Sequence, residues 1–381
     1  MIRKTFKALK KIQKNAIGQF ADGWMLDQQV PLQSVFRSRF DYEIHDFGKH
    51  EIYAPELKPD NPANYLKQLK LHYNPQVIPR PYYFHLNNAG VFNRQIVDPE
   101  NSKRVILESF PEGSMQDEGR NFQPELSIRR KALKHAIRRN TDVDEGYVFS
   151  GLWWKNYYHF LVDSCLRFVD LQEQGAFRNN TTLLFHSQPN KWQQSYLDLL
   201  GLGDHESVLT DQQPLKVGKL LVASPRRHRF VVSIDAATQF RHRMFDRLGM
   251  ADAEPTRKIF VSRRGAKVRR ILNEEEVESC LIEHGFEILK SEKLSVEDQI
   301  KLFAQAKTIV APHGAGLANM IYSQKPSIIE LFPADRWNIG YFLALTNSIG
   351  GTHIPIICAP ENDADDFNVD IEMLRSALKI T

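Results

Sequence analysis

TIVAPHGAGLAN, residues 308–319, joins a short apolar run to a helix-compatible segment through a histidine and two glycines. A strand that stops abruptly at such a junction points bare backbone N–H groups at whatever lies above its carboxyl end. Gly314 and Gly316 carry no Cβ, so a ligand can approach the main chain there, and the positive end of the following helix favours an anion. A phosphate or diphosphate is the chemistry this predicts. A plain tight turn is the competing reading, and the segments on either side decide between them.

Working outward, the C-terminal half alternates strand and helix. KIFVS (258–262) reads as a strand and NEEEVESCLIEHG (273–285) as a helix, with Asn273 and Glu276 at capping-box spacing and Gly285 as its stop. FEILK (286–290) is the next strand. Ser295 and Asp298 open a helix over VEDQIKLFAQA that leads into the 308–319 motif, and SIIELFP (327–333) follows as a strand. An earlier series has the same grammar: YVFSG, a helix over NYYHFLVDSCLRFVDLQEQ, TTLLFH, a helix over WQQSYLDLLG, KLLVAS, and a helix over TQFRHRMFDRLG. Such alternation predicts parallel sheets covered by helices, hence two doubly wound α/β units facing a cleft, joined near the polar MADAEPTR (250–257). PYYFHLNNAGVFNRQIVDPENSKRVILES (81–109) reads instead as short strands with turns at Asn-Ala-Gly and Pro-Glu-Asn. The expected organisation is an irregular basic segment over 1–75, a first α/β domain over 76–249 and a second over 250–381.

A chain of 381 residues, 42% hydrophobic and 25% charged, is long enough for two such cores. Its net charge of +4 is modest, but the basic residues cluster at 129–139, 226–229, 241–243 and 263–270, which points to anionic ligands or surfaces. Three cysteines (Cys165, Cys280, Cys358) without CxxC spacing support neither a disulfide framework nor a zinc site. No apolar run spans a bilayer and no signal-peptide core opens the chain, so a cytoplasmic protein is expected. Residues 1–20 place Ile2, Phe6, Leu9, Ile12 and Ile17 near one helical face and lysines opposite, the pattern of a helix on an anionic membrane surface or of one docked on the body.

Two constellations stand beside the glycine turn. Arg263, Arg264, Arg269 and Arg270 follow the end of KIFVS, where their planar donor forks can meet diphosphate oxygens near a helix N-terminus. Asn156, His159, Asp163 and Arg167 recur at helical spacing, so they are expected on one face, with the carboxylate of Asp163 able to fix the tautomer of His159. A helix cap at Asn156 and a satisfied histidine are the plainer alternatives. Asp142 with Asp144, and Asp363 with Asp365 and Asp366, imitate an Asp-x-Asp metal signature but lie in acidic loop-like sequence. The usual dinucleotide, NTPase, zincin and serine-hydrolase patterns are absent.

In their order, NYYHFLVD, KIFVSRR with RRILNEEE, APHGAGLANMIY and SIIELFP resemble glycosyltransferase family 61. The resemblance spans about residues 80–375 and implies a GT-B fold and inverting, metal-independent sugar transfer from a nucleotide sugar without a cofactor. By position it assigns Asn156, His159 and Asp163 to an Asn-x-x-His-x-x-x-Asp motif, with His159 or Asp163 as base and the other orienting it. Arg167 stands beside them on the acceptor side or as support. Ser262, Arg263 and either Arg269 or Arg270 match the diphosphate-binding positions, His313, Gly314, Ala315 and Gly316 the turn, and Glu330 the acidic residue expected near the ribose. The implied partners are a nucleotide-sugar donor and a saccharide or lipid-linked acceptor, as in capsular or exopolysaccharide biosynthesis by a cytoplasmic enzyme at the inner membrane. Two other readings compete: a nucleic-acid-binding protein using the basic clusters, and an inactive family member that only binds nucleotide.

Overall fold

The computed structural model describes residues 45–46, 51–53, 76–78, 81–92, 95–97, 141–151, 153–211, 214–228, 230–251, 254–333 and 340–381. The readings of residues 1–20 and 129–139 therefore lie outside the described residues. The strands are β1 (His45–Asp46), β2 (Glu51–Tyr53), β3 (Gln76–Ile78), β4 (Tyr82–Phe92), β5 (Gln95–Val97), β6 (Val143–Val148), β7 (Thr182–Phe185), β8 (Ser207–Leu209), β9 (Leu215–Ala223), β10 (Arg227–His228), β11 (Val231–Val232), β12 (Arg257–Val261), β13 (Glu287–Leu289), β14 (Ala306–Pro312), β15 (Ser327–Pro333) and β16 (Thr352–Cys358). The helices are α1 (Tyr157–His159), α2 (Leu166–Glu173), α3 (Lys191–Leu199), α4 (Ile234–Arg247), α5 (Glu274–Glu283), α6 (Val296–Ala304), α7 (Gly340–Ser348) and α8 (Ile371–Leu378). A π-helical segment, Phe160–Cys165, joins α1 to α2, and the glycine turn opens into a 3₁₀ helix, Ala315–Tyr322, rather than the expected α-helix. No described helix is long and apolar enough to cross a membrane.

The protein is α/β, with two sheets consistent with two Rossmann-like units in a GT-B-like pair. The first sheet runs β8-β7-β6-β9-β4-β1, with β5 also paired to β4. Its β8, β7, β6 and β9 are mutually parallel, while β4 is antiparallel to β9. The expected Asn-Ala-Gly turn is instead the middle of β4, where Asn88 takes a left-handed conformation (φ 55°) that a short polar side chain tolerates, and the hairpin to β5 closes after Phe92. The second sheet is wholly parallel, β13-β12-β14-β15-β16.

In each parallel array the strand order reverses once. In the first sheet the chain starts at β6, moves outward through β7 and β8, and returns to β9 on the other side of β6. In the second it starts at β12, moves to β13, and returns to β14 on the other side of β12. Loops leaving the two central strands of such a sheet diverge to opposite faces, opening a crevice at their carboxyl ends. Those crevices lie at β6/β9 and β12/β14.

Strand periodicity distributes the apolar residues. Ile259 and Val261 of β12, Ile309 and Ala311 of β14 and Ile328 of β15 face a central core, whereas Phe260, Val310, Ile329 and Leu331 face an outer core under α5 and α8. The first sheet sends Tyr147, Leu183, Phe185, Leu221 and Ala223 into the same central core. The two units therefore share one apolar interior, in which each fully buried aliphatic side chain contributes about 1.5–3 kcal/mol.

A chain of hydroxyls runs through this shared layer. Tyr157 donates to Asn319 Oδ1 (2.6 Å), so its single proton is spent. Tyr196 must then donate to Tyr157 (2.7 Å), and it receives a bond from Tyr322 (2.8 Å). Asn319 continues to Gln299 on α6 (2.7 Å). Burial raises the Tyr196 and Tyr322 phenols far above their ordinary range, so these bonds are made by neutral hydroxyls. The relay ties α1 and α3 of the first unit to the 3₁₀ helix of the second.

The loop between β12 and α5 is held from the C-terminal segment. Asn273 does not cap α5 with its side chain as its spacing suggested. Its amide instead exchanges two hydrogen bonds with the backbone of Val369 (both 2.9 Å). Arg270 grips Asp366 through its backbone N–H and guanidinium, at 2.6–3.0 Å. Those hydrogen bonds hold the Asp366 carboxyl at about 2, against the cost of burial.

Two outcomes test these links. Tyr196→Phe leaves the neighbouring buried hydroxyls short of a partner and is expected to cost about 1–3 kcal/mol of stability, read as a lower denaturation midpoint. The Asp366 contribution is fully present above its ordinary pKa near 4 and is lost as pH falls toward 2. Arg270→Gln is therefore expected to lower the thermal midpoint at pH 6, with the gap to the parent protein closing between pH 4 and 2.

Candidate functional site

At the β12/β14 crevice the chain leaving β12 crosses the glycine turn. The Arg263 guanidinium donates to the carbonyl of His313 (2.6 Å) and lies so close over Gly314 that a Cβ there would fall 2.1 Å from Nη1. The missing side chain at 314 thus makes room for Arg263. Gly316 is less constrained, since a Cβ would meet only Val261 at 3.9 Å. Among the described residues, the N–H groups of Gly314, Ala315 and Gly316 make no hydrogen bond, as expected for the first turn of a helix.

Arg269 comes back to the same place. Its φ of 56° is a left-handed conformation that costs a residue other than glycine roughly 1–2 kcal/mol. Its N–H is tied to the Ala364 carbonyl (2.9 Å). Burial and the nearby Arg269 charge bring the Arg263 guanidinium down to about 10. Arg269 is itself lowered by burial, partly offset by Asp365 and Glu330. Two half-buried guanidiniums that repel each other form a site that favours an added anion. Arg264 turns away to Glu275 and Glu278 on α5 (3.3 and 2.9 Å), and Arg270 is bound to Asp366.

Several residues expected on the donor are engaged with other side chains. Glu330, expected near the ribose, is fully buried and gives one oxygen to His313 Nδ1 (2.5 Å) and the other to His353 Nε2 (2.7 Å). Burial alone raises its carboxyl, but the two imidazoles reverse this and hold it below the ordinary range. The His313 ring is consequently enclosed, edge-on to Phe332 and Phe342. Ser262 directs its hydroxyl to Glu274 at the start of α5 (2.6 Å) and so anchors the arginine loop. Asp366, part of the Asp-x-Asp imitation, serves Arg270, and Asp142 accepts from the Lys216 N–H (2.8 Å). Among the described residues no three His, Cys, Asp or Glu side chains cluster to hold a metal.

At the β6/β9 crevice lies the second constellation. Asn156 caps α1, its Oδ1 accepting from the His159 N–H (3.4 Å). His159 Nδ1 meets Asp163 Oδ2 at 2.7 Å, and Asp163 is gripped by Arg227, Nε to Oδ1 at 2.7 Å and Nη2 to Oδ2 at 3.3 Å. Burial pushes the Asp163 carboxyl up, but the Arg227 and His159 charges and hydrogen bonds more than offset it and hold it far below its ordinary value. An ionised carboxylate only accepts, so Nδ1 carries the imidazole proton and the lone pair of a neutral ring lies on Nε2. The His159 side chain is 15% exposed, and Nε2 is neither hydrogen-bonded nor enclosed among the described residues. The bonds to Asp163 come from His159 and Arg227, while the charge of Arg167 acts on the Tyr147 phenol.

Residues of α7 connect the two constellations. Tyr341 stands 6.2 Å from the His159 ring, centroid to centroid. Phe342 packs on Tyr158 at 5.6 Å and on His313 at 5.2 Å. The sequence reading missed Arg227, His353, Tyr341 and Phe342. Arg227 was marked as one of a basic cluster for anionic surfaces, but the structure buries it on Asp163 and buries its neighbour Arg226 on Asp170 (2.7 Å). Arg241 is likewise internal, donating to the Ser323 carbonyl (3.3 Å).

Residues 157–329 match the family model described as Glycosyltransferase 61. No curated protein matches the chain. The matched segment begins at α1, which carries His159, and contains Arg227, the arginine loop and the glycine turn. Residues 157–329 are thus similar to glycosyltransferase family 61, and the two crevices of the fold lie in that stretch or at its edges.

Proposed function

We propose that this chain is an inverting glycosyltransferase that moves a sugar from a nucleoside-diphosphate donor to a hydroxyl of a saccharide or lipid-linked saccharide. The observation that carries the reading is the Arg263–Arg269 pair over the glycine turn at the β12/β14 crevice: fixed positive charge beside free backbone donors, where a departing diphosphate needs stabilisation. Arg263 and Arg269 bind the diphosphate together with the N–H groups of 314–316. Glu330, His313 and Ser262 position them.

His159 is the base in this reading, through Nε2, and Asp163 fixes its tautomer. Asp163 itself is a poor proton acceptor, because its charge is committed to Arg227. As the acceptor oxygen attacks the anomeric carbon, its proton passes to Nε2 and the carbon–oxygen bond to the diphosphate breaks, the electron pair leaving with the nucleotide. Attack from the side opposite the leaving group inverts the anomeric configuration. A cytoplasmic enzyme of surface-polysaccharide assembly is the setting that accords with this chemistry. Nucleic-acid binding is the weaker reading, since Arg226, Arg227 and Arg241 are committed to internal partners.

Thermal-shift titration with uridine, guanosine, cytidine and thymidine diphosphates is expected to give a saturable shift for at least one of them. Arg263→Gln should weaken that affinity about 10–100-fold, the equivalent of losing one charged hydrogen bond, and Gly314→Ala should weaken it by displacing the guanidinium. Unchanged affinity in Arg263→Gln removes the diphosphate assignment. His159→Ala should lower kcat about 10²–10⁴-fold while leaving nucleotide affinity intact, and the proton spectrum of the product should show the inverted anomer. A normal transfer rate in His159→Ala removes the base.

A further inference from the structure

Trp153 and Trp154 are adjacent in the turn that leads from β6 to α1, and they have opposite fates. Trp154 is 1% exposed and lies among Phe149, Phe160 and Phe185. Its carbonyl accepts from the buried Gln193 amide (2.8 Å), and the Asn156 N–H donates back to the Trp153 carbonyl (2.7 Å). The turn is therefore fixed on both sides. Trp153 nevertheless leaves 53% of its surface in water.

Single exposed apolar side chains are ordinary on proteins, so exposure alone implies nothing. Trp153 differs from the others in kind and in place. The remaining large hydrophobic residues exposed among the described residues are aliphatic: Ile234, Val268, Leu272, Ile282, Met373 and Ile380. Trp153 is the aromatic one, and its ring lies against His159, with centroids 6.0 Å apart and planes tilted by 35°. His159 in turn has Tyr341 at 6.2 Å, nearly perpendicular. The imidazole thus has three aromatic neighbours, the third being Tyr158 at 5.3 Å, with its Nδ1 committed to Asp163 and its Nε2 open.

We infer that Trp153 is the acceptor subsite, a platform on which a pyranose ring lays its apolar C–H face while one of its hydroxyls donates to His159 Nε2. This rests on the proposed role of His159 as base. The chemistry selects the class of acceptor. A large rigid aromatic beside a hydrogen-bond acceptor suits a ligand with one apolar face and hydroxyls at its rim. Pyranoses of gluco or galacto configuration gather C–H bonds on one face and meet that description. A phosphate-rich acceptor gains little from an uncharged indole, and a purely lipidic one has no hydroxyl to offer Nε2. Because the turn is already ordered by Trp154 and Gln193, the platform loses little freedom when the sugar binds.

The test uses the full chain, fluorescently labelled, on a printed glycan array, comparing the parent protein with Trp153→Ala and Trp153→Phe. The parent protein is expected to bind glycans that present a terminal gluco- or galacto-configured pyranose. Trp153→Ala should lose that signal at least tenfold, Trp153→Phe should retain part of it, and the nucleoside-diphosphate thermal shift should be the same in all three. As a check independent of the alanine variant's folding, 5-fluorotryptophan at 153, assigned by its disappearance in Trp153→Phe, should change its ¹⁹F shift when the bound glycan is added. Equal array binding by Trp153→Ala, an unmoved ¹⁹F signal, or no array binding by the parent protein overturns the subsite. A failed nucleotide shift with Trp153-dependent glycan binding overturns the donor reading and leaves the subsite standing.

Discussion

An ionised carboxylate in a protein interior constrains everything around it, and in this fold that carboxylate is Asp163. Removing two ions from water costs several kcal/mol each, which is recovered only when their geometry is close and their remaining bonding capacity is used. Arg227 meets the condition with two nitrogens on two oxygens, and His159 supplies a further bond. Next to it Arg226 takes Asp170, so adjacent arginines where the chain passes from β9 to β10 clamp two aspartates about two helical turns apart. This clamp fixes how the helix leaving β6 lies across the crevice. The orientation of His159 follows from it.

The second sheet solves a related problem with the opposite outcome. Glu330 is as deeply buried as Asp163, but an imidazole takes each of its oxygens and the group is closed off. At β6/β9 the carboxylate leaves one imidazole nitrogen facing outward. At β12/β14 the carboxylate is consumed, and what faces outward is the pair of guanidiniums and the bare backbone of the turn. One crevice is thus suited to taking a proton and the other to holding negative charge.

Much of this was readable from periodicity. The strands and helices of both units, the sheet edge shared by the arginine loop and the glycine turn, and the approach of His159 to Asp163 all follow from local spacing. Partners distant in sequence did not. Arg227 lies 64 residues from Asp163, and Asp366 lies 96 from Arg270, so no window of sequence could pair them. Arg269 and Arg270 differ in one backbone angle and one ion pair, neither visible in a run of two arginines. Glu330 looked like a residue for the ligand because an acidic group ending a strand invites that reading. Its two histidines became neighbours only once β15 was paired with β14 on one side and β16 on the other.

The shared core has a consequence for what can be cut from the chain. The family segment, 157–329, starts after β6 and stops inside β15. Yet β6 lies between β9 and β7, and β16, which brings His353, completes the sheet beside β15. A fragment with those limits would have a gap in the middle of one sheet and a bare edge on the other. It would also omit Glu330 and His353, and so leave His313 without its carboxylate partner. The stretch of chain that carries the family's signature therefore lacks strands on which both of its sheets depend.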